Sequence, residues 1–212
     1  MRTALTFALL AILITGCGGV SGDDRPDEDA TLLLDAAPSA VHAGIYLATA
    51  RGYDEAEGVR LEIRRGGGAV AKLRDGRADF AILDVRTLAR VREQGADIVG
   101  VSAILQRPQG PVLCVTRTTL EDRRPLVRAT IRALQRGYVQ AQTEPDSAVA
   151  AFQEAAPRAD RGELAARLDR VSPLFTAGAR APGELRPEVL ARDGLDVEPA
   201  FDFDQVGPVR NP

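Results

Sequence analysis

The chain carries one histidine, two cysteines and no tryptophan, and aromatic residues make up only 4% of its 212 positions. Each shortage closes off a class of function. With one histidine, no serine or cysteine nucleophile has a base partner in view, and the acidic residues fall on predicted helix faces rather than in facing pairs, so the sequence does not read as an enzyme. CxxC, HExxH and Cys/His clusters are all missing. That leaves zinc without a ligand set and implies no cofactor. The net charge is −3, the pI is near 5.4, and the arginines alternate with acids. No basic stripe interleaved with aromatics marks a nucleic-acid partner. What is present, 45% hydrophobic and 27% charged residues with a mean hydropathy of −0.10, describes an ordinary globular domain with a sizeable core.

The first 16 residues stand apart from the fold. Arg2 supplies a positive start, Leu5 to Ile14 is apolar but too short to span a bilayer, and small residues lead into Cys17. The run Ile14-Thr15-Gly16-Cys17 resembles the lipobox of bacterial lipoproteins. That resemblance implies a signal peptide over residues 1–16, lipid attachment at Cys17 and cleavage before it, leaving 212 − 16 = 196 residues. The mature chain would then be extracytoplasmic, held by its lipid at the outer face of the bacterial cytoplasmic membrane or in the periplasm. Residues 17–30 are rich in glycine and acid and read as a flexible tether. Cys114, within the apolar run Pro111 to Val115, reads as a small buried hydrophobe.

Residues 31–178 read as one α/β unit with C-terminal helices, and 179–212 as a mostly irregular tail. Three short apolar runs, Leu32–Leu34, Val59–Ile63 and Phe80–Leu83, are separated by helix-like segments. This is the pattern of a mostly parallel sheet with crossover helices. A fourth strand over Ile98–Leu105 is almost continuously apolar, which predicts a central position. A fifth spans Val112–Thr116. Thr118 or Thr119 is placed to cap a long helix bearing Val127, Ile131, Leu134 and Tyr138 on one stripe, and two shorter helices follow.

Ligands of such sheets bind at the carboxyl ends of the strands. The candidate ligand residues are therefore Ser39 and His42 in the loop after the first strand, the Gly66, Gly67 and Gly68 amides after the second, Asp84 at the end of the third, and Gln106 after the fourth. Each has a plainer reading beside it. His42 can pack or cap at its helix start, Asp84 can cap the helix containing Leu88, and the glycines can form a simple turn.

The run Asp35-Ala36-Ala37-Pro38-Ser39-Ala40-Val41-His42-Ala43-Gly44-Ile45-Tyr46, with Gly52-Tyr53 and Glu57-Gly58 beyond it, resembles the thiamine-pyrimidine-precursor and alkanesulfonate branch of periplasmic (type II) solute-binding proteins. Gly76-Arg77-Ala78-Asp79-Phe80 is similar to the next signature of that family, and the likeness extends over most of Leu32 to Phe175. The resemblance implies a lipid-anchored substrate-binding component of an ABC importer, with a permease partner and a small heteroaromatic ligand such as a thiamine pyrimidine precursor. Ala36 stands where the family pattern has tryptophan and Ser39 where it has asparagine. Arg86 stands near the position of the histidine that synthase relatives consume. Family members have two lobes, and about 80 to 90 residues are missing between Gln109 and Pro111, where the second lobe would be inserted. A single lobe cannot close over its ligand, which should raise the dissociation constant by orders of magnitude. The competing reading is a lipoprotein that has lost transport and uses the exposed former cleft to bind another protein.

Overall fold

Glu28 opens the first strand of the computed structural model, which describes residues 26–34 and 36–186. The expected signal peptide, Cys17, most of the tether, Asp35 and residues 187–212 lie outside the described residues. Strand β1 covers Glu28–Leu34, longer at its start than the expected Leu32–Leu34 run, and takes in residues 28–30 that read as tether. A 3-10 turn at Ala40–His42 leads into α1 (Ala43–Ala50) and the single-turn α2 (Tyr53–Ala56). Then come β2 (Val59–Arg65), α3 (Ala69–Arg74), β3 (Phe80–Asp84), α4 (Val85–Glu93), β4 (Ile98–Ala103) and β5 (Pro111–Thr116). Helices α5 (Arg117–Asp122), α6 (Arg124–Thr143), α7 (Pro145–Ala155) and α8 (Arg161–Val171) complete the lobe, followed by a 3-10 turn at Ser172–Phe175.

The sheet order is β2-β1-β3-β5-β4. Strand β1 runs parallel to both β2 and β3, whereas β5 runs antiparallel to both β3 and β4, so the sheet is mostly parallel, as expected, with β5 alone reversed. The reason is local. After β4 the chain reverses within residues 104–110, closing with Ile104 N–H donating to Pro111 O at 2.9 Å, and a strand returning through a tight reversal must run the opposite way. Gln109 in the left-handed region (φ 56°) and Gly110 complete that reversal. A Cβ on Gly110 would meet Leu105 O at 2.6 Å, so only glycine fits there.

Strand β4 lies at the sheet edge, not at its centre as its composition predicts. All six of its residues are nonetheless buried. Residues near 183 cover its free side, Ala103 N–H donating to Gly183 O at 3.2 Å, while Arg92 of α4 reaches Ile98 O at 2.9 Å. An apolar run reports coverage, and a covered edge reads the same as a central strand.

Strand alternation divides the core. Leu32, Leu34, Phe80, Ile82, Leu113 and Val115 face α1, α6, α7 and α8. Leu33, Ala81, Leu83, Val112 and Cys114 face α3 and α4. Successive strand residues point to opposite faces, so one strand serves both layers. Cys114 is buried, as its apolar run implied. The expected single helix after β5 is two helices. Thr116 caps α5 by accepting from Thr119 N–H at 3.0 Å, and Arg123 leaves helical geometry just before Pro125 opens α6, a position where proline costs no hydrogen bond.

Candidate functional site at the strand ends

The register places the carboxyl ends of β1, β2 and β3 side by side: Leu34 pairs with both Arg65 and Ile82, and Asp84 pairs with Pro111. The loops carrying Ser39, Gly66 to Gly68, Asp84 and Gln106 therefore all leave the same end of the sheet. That grouping follows from topology alone.

The side chains are less free than the grouping suggests. His42 is 4% exposed. Its Nδ1 accepts a hydrogen bond from Ser39 N–H at 3.2 Å and lies 3.5 Å from Ser39 Oγ. Burial holds the imidazole at a pKa of about 4, so it is neutral, with Nδ1 the acceptor and the proton on Nε2. Its 3-10 turn packs against α8. Asp84 is the N-cap of α4: Oδ1 accepts from Thr87 N–H at 2.7 Å and Oδ2 from Thr87 Oγ1 at 2.8 Å. Gln106 is 7% exposed. Its amide Nε2 donates to Glu184 O at 2.7 Å and its backbone N–H to Leu174 O at 2.7 Å. Gly66, Gly67 and Gly68 stay at the surface, with φ of 134° at Gly66 and 75° at Gly68, values that favour glycine. Gly68 caps the six-residue α3, and Lys72 Nζ lies beside Gly66.

Several family-like motif residues hold the scaffold together instead. Asp79 accepts from Thr31 N–H at 2.8 Å through Oδ2 and pairs with Arg123 through Oδ1. Arg123 also reaches Glu28 Oε2 through Nε at 2.8 Å, so one guanidinium ties the α5–α6 junction to the starts of two strands. Glu57 accepts from Arg132 at 2.7 Å, and Arg136 stacks 4.1 Å from the Tyr53 ring centroid. These pairs span up to 95 residues of sequence, so no local pattern signals them. Among the described residues no helix is long and apolar enough to cross a membrane, and no group of three His, Cys, Asp or Glu side chains could hold a metal ion.

Comparison with solved structures defines the class of fold. A Candida albicans gene product, described as having the generic periplasmic binding protein fold, superposes with a TM-score of 0.63 at 9% identity, covering 82% of this chain and 96% of its own. The ligand-binding component of an ABC-type import system from Staphylococcus aureus, solved with zinc bound, gives 0.65 at 7% identity over 85% and 97%. The alkanesulfonate-binding protein SsuA from Xanthomonas axonopodis pv. citri, bound to MOPS, gives 0.62 at 8% identity over 82% and 97%. The chain has the periplasmic binding protein fold, and the described residues form about one lobe of it. In sequence, the NMT1/THI5-like family model matches residues 39–110, about a third of the chain. No curated protein matches.

Proposed function

We propose that this protein is an extracytoplasmic solute-binding component of an ABC importer, reduced to one lobe, tethered through a lipid on Cys17 and taking a small heteroaromatic of the thiamine-pyrimidine-precursor kind. The observation that carries this reading is the convergence of the β1, β2, β3 and β4 loops at one end of a sheet with the periplasmic binding protein fold, in the stretch that matches the NMT1/THI5-like model. The tight 104–110 reversal, closed by the hydrogen bond from Ile104 N–H to Pro111 O, supports the one-lobe reading, because it stands where a second lobe would enter. Ser39 and the Gly66, Gly67 and Gly68 amides are the residues offered to a ligand from the first two loops. Calorimetry of the full chain against aminopyrimidines, thiamine, taurine and alkanesulfonates tests it. Saturable binding of one class supports the reading, and no binding across the panel overturns it.

A second reading has its own support. His42, Asp84 and Gln106 are all engaged within the lobe, which suits a lipoprotein whose strand-end surface serves a protein partner rather than a solute. Loss of all solute binding together with a retained complex with a protein other than an importer permease would favour it.

A further inference from the structure

Beyond the last 3-10 turn the chain doubles back over the free edge of β4 as a strap, residues 177–186. Its ends are drawn together by Arg186 Nη1, which donates to Ala177 O at 3.1 Å, and Arg180 Nε donates to Glu184 Oε1 at 2.7 Å. Gly178 and Gly183, at φ 69° and 85°, give it its bends. Three donors of the lobe converge on two successive strap carbonyls. Ala103 N–H, at 3.2 Å, and Ser102 Oγ, at 3.3 Å, both donate to Gly183 O, while Gln106 Nε2 donates to Glu184 O at 2.7 Å. Leu185 is the strap's apolar anchor, buried in the α3–α4 side of the core.

Gln135 of α6 lies against this strap. It is 2% exposed, and neither its Oε1 nor its Nε2 has a hydrogen-bond partner. A Cβ built on Gly183 would stand 3.3 Å from Gln135 Nε2 and 2.6 Å from Ser102 Oγ. The strap thus presents a residue without a side chain to a buried carboxamide that lacks a partner, an arrangement that costs free energy. The three polar side chains that the lobe brings to the strap at Gly183 and Glu184, Ser102, Gln106 and Gln135, are uncharged. A carboxamide offers an acceptor and donors in one plane, so its complement is a flat group with an N–H beside an acceptor atom.

We propose that the strap occupies, in cis, a neutral amide-recognition site formed by Ser102, the Ala103 N–H, Gln106 and Gln135. A flat uncharged ligand with adjacent donor and acceptor, such as an aminopyrimidine or a lactam, takes that site when the strap lifts. The ligand's acceptor replaces a strap carbonyl, and its donor–acceptor edge pairs with Gln135. This deepens, and rests on, the solute-binding reading above. Because the strap competes with ligand, the apparent affinity is scaled by the fraction of molecules in which it is open.

The test titrates the full chain with 4-aminopyrimidine and 2-pyrrolidone, using N-methyl-2-pyrrolidone, which lacks the donor, as control. Leu185→Ser, which loosens the strap, should tighten both probes by about tenfold, and adding Gln135→Leu should weaken them by about tenfold. The N-methyl control should bind about tenfold more weakly than its parent. Hydrogen exchange on the unmutated chain should speed up at residues 177–186 and at Ala103 N–H when 2-pyrrolidone is present. Affinities that ignore either substitution, a control that binds as well as its parent, or strap exchange unchanged by saturating probe would each overturn the proposal. Aminopyrimidine binding that is indifferent to Gln135→Leu overturns it while leaving the solute-binding reading in place. Lactam binding through Gln135 with no aminopyrimidine binding upholds it and removes the pyrimidine class instead.

Discussion

Gly137 of α6 lies directly on Gly44 of α1: a Cβ built on Gly137 would stand 2.1 Å from Gly44 O and 2.8 Å from Ala48 Cβ. The converse holds from α1, where a Cβ on Gly44 would stand 2.3 Å from the Tyr138 ring. The glycine in the His42-Ala43-Gly44 run is therefore a helix-crossing residue. Tyr138 completes the joint by donating its hydroxyl to Val41 O at 2.9 Å and stacking edge-on against Phe175, with ring centroids 4.7 Å apart.

Gly137→Ala should destabilise the protein by about 3 kcal/mol, because the added methyl meets a backbone oxygen that cannot move without parting the helices. Urea unfolding followed by circular dichroism measures this. A loss below about 0.5 kcal/mol would show that the helices separate freely.

His42 makes stability depend on pH. Its folded pKa, about 4, lies below the ordinary 6.5, so between those values the unfolded chain binds a proton that the folded chain refuses. The contribution is complete above pH 6.5 and is lost as pH falls toward 4. It amounts to about 3 kcal/mol across the full window. His42→Gln should flatten the difference in urea midpoint between neutral and mildly acidic buffer, relative to the parent. An unchanged slope would remove His42 as its source.

Arg123 should matter beyond an ordinary surface arginine. Arg123→Met leaves Glu28 and Asp79 facing each other without their shared cation, and should cost about 1 to 2 kcal/mol. Adding Asp79→Asn should recover part of the loss, since like charges no longer face one another. Equal or greater damage in the double variant would contradict this account.

Asp84 is separable into two roles by its substitutions. Asp84→Ala should lower stability by about 1 kcal/mol through loss of the α4 cap, while Asp84→Asn keeps the cap. Any solute affinity lost in the Asn variant at unchanged stability would assign the carboxylate to the ligand.

Cys17→Ser should release the protein from membranes into the soluble fraction on cell fractionation. Continued sedimentation with membranes would refute the lipid anchor.

Much of the scaffold is legible in the sequence because it rests on local rules. The apolar runs, the left-handed glycines at 52 and 68 and the proline at 145 mark elements within a few residues, since each acts through its own backbone. Clustering of the candidate loops at one sheet end is also readable, because parallel pairing through crossovers requires it. Tertiary structure alone decided the rest. It put β4 at an edge, because a strap from about 80 residues later covers that edge and makes it read as interior. It turned His42, Asp84 and Gln106 inward or onto caps, because a polar side chain's freedom depends on which partner arrives from elsewhere in the chain. Gln135 shows the same limit: on its helix it reads as an ordinary polar residue, and only the strap packed over it leaves its amide buried and without a partner.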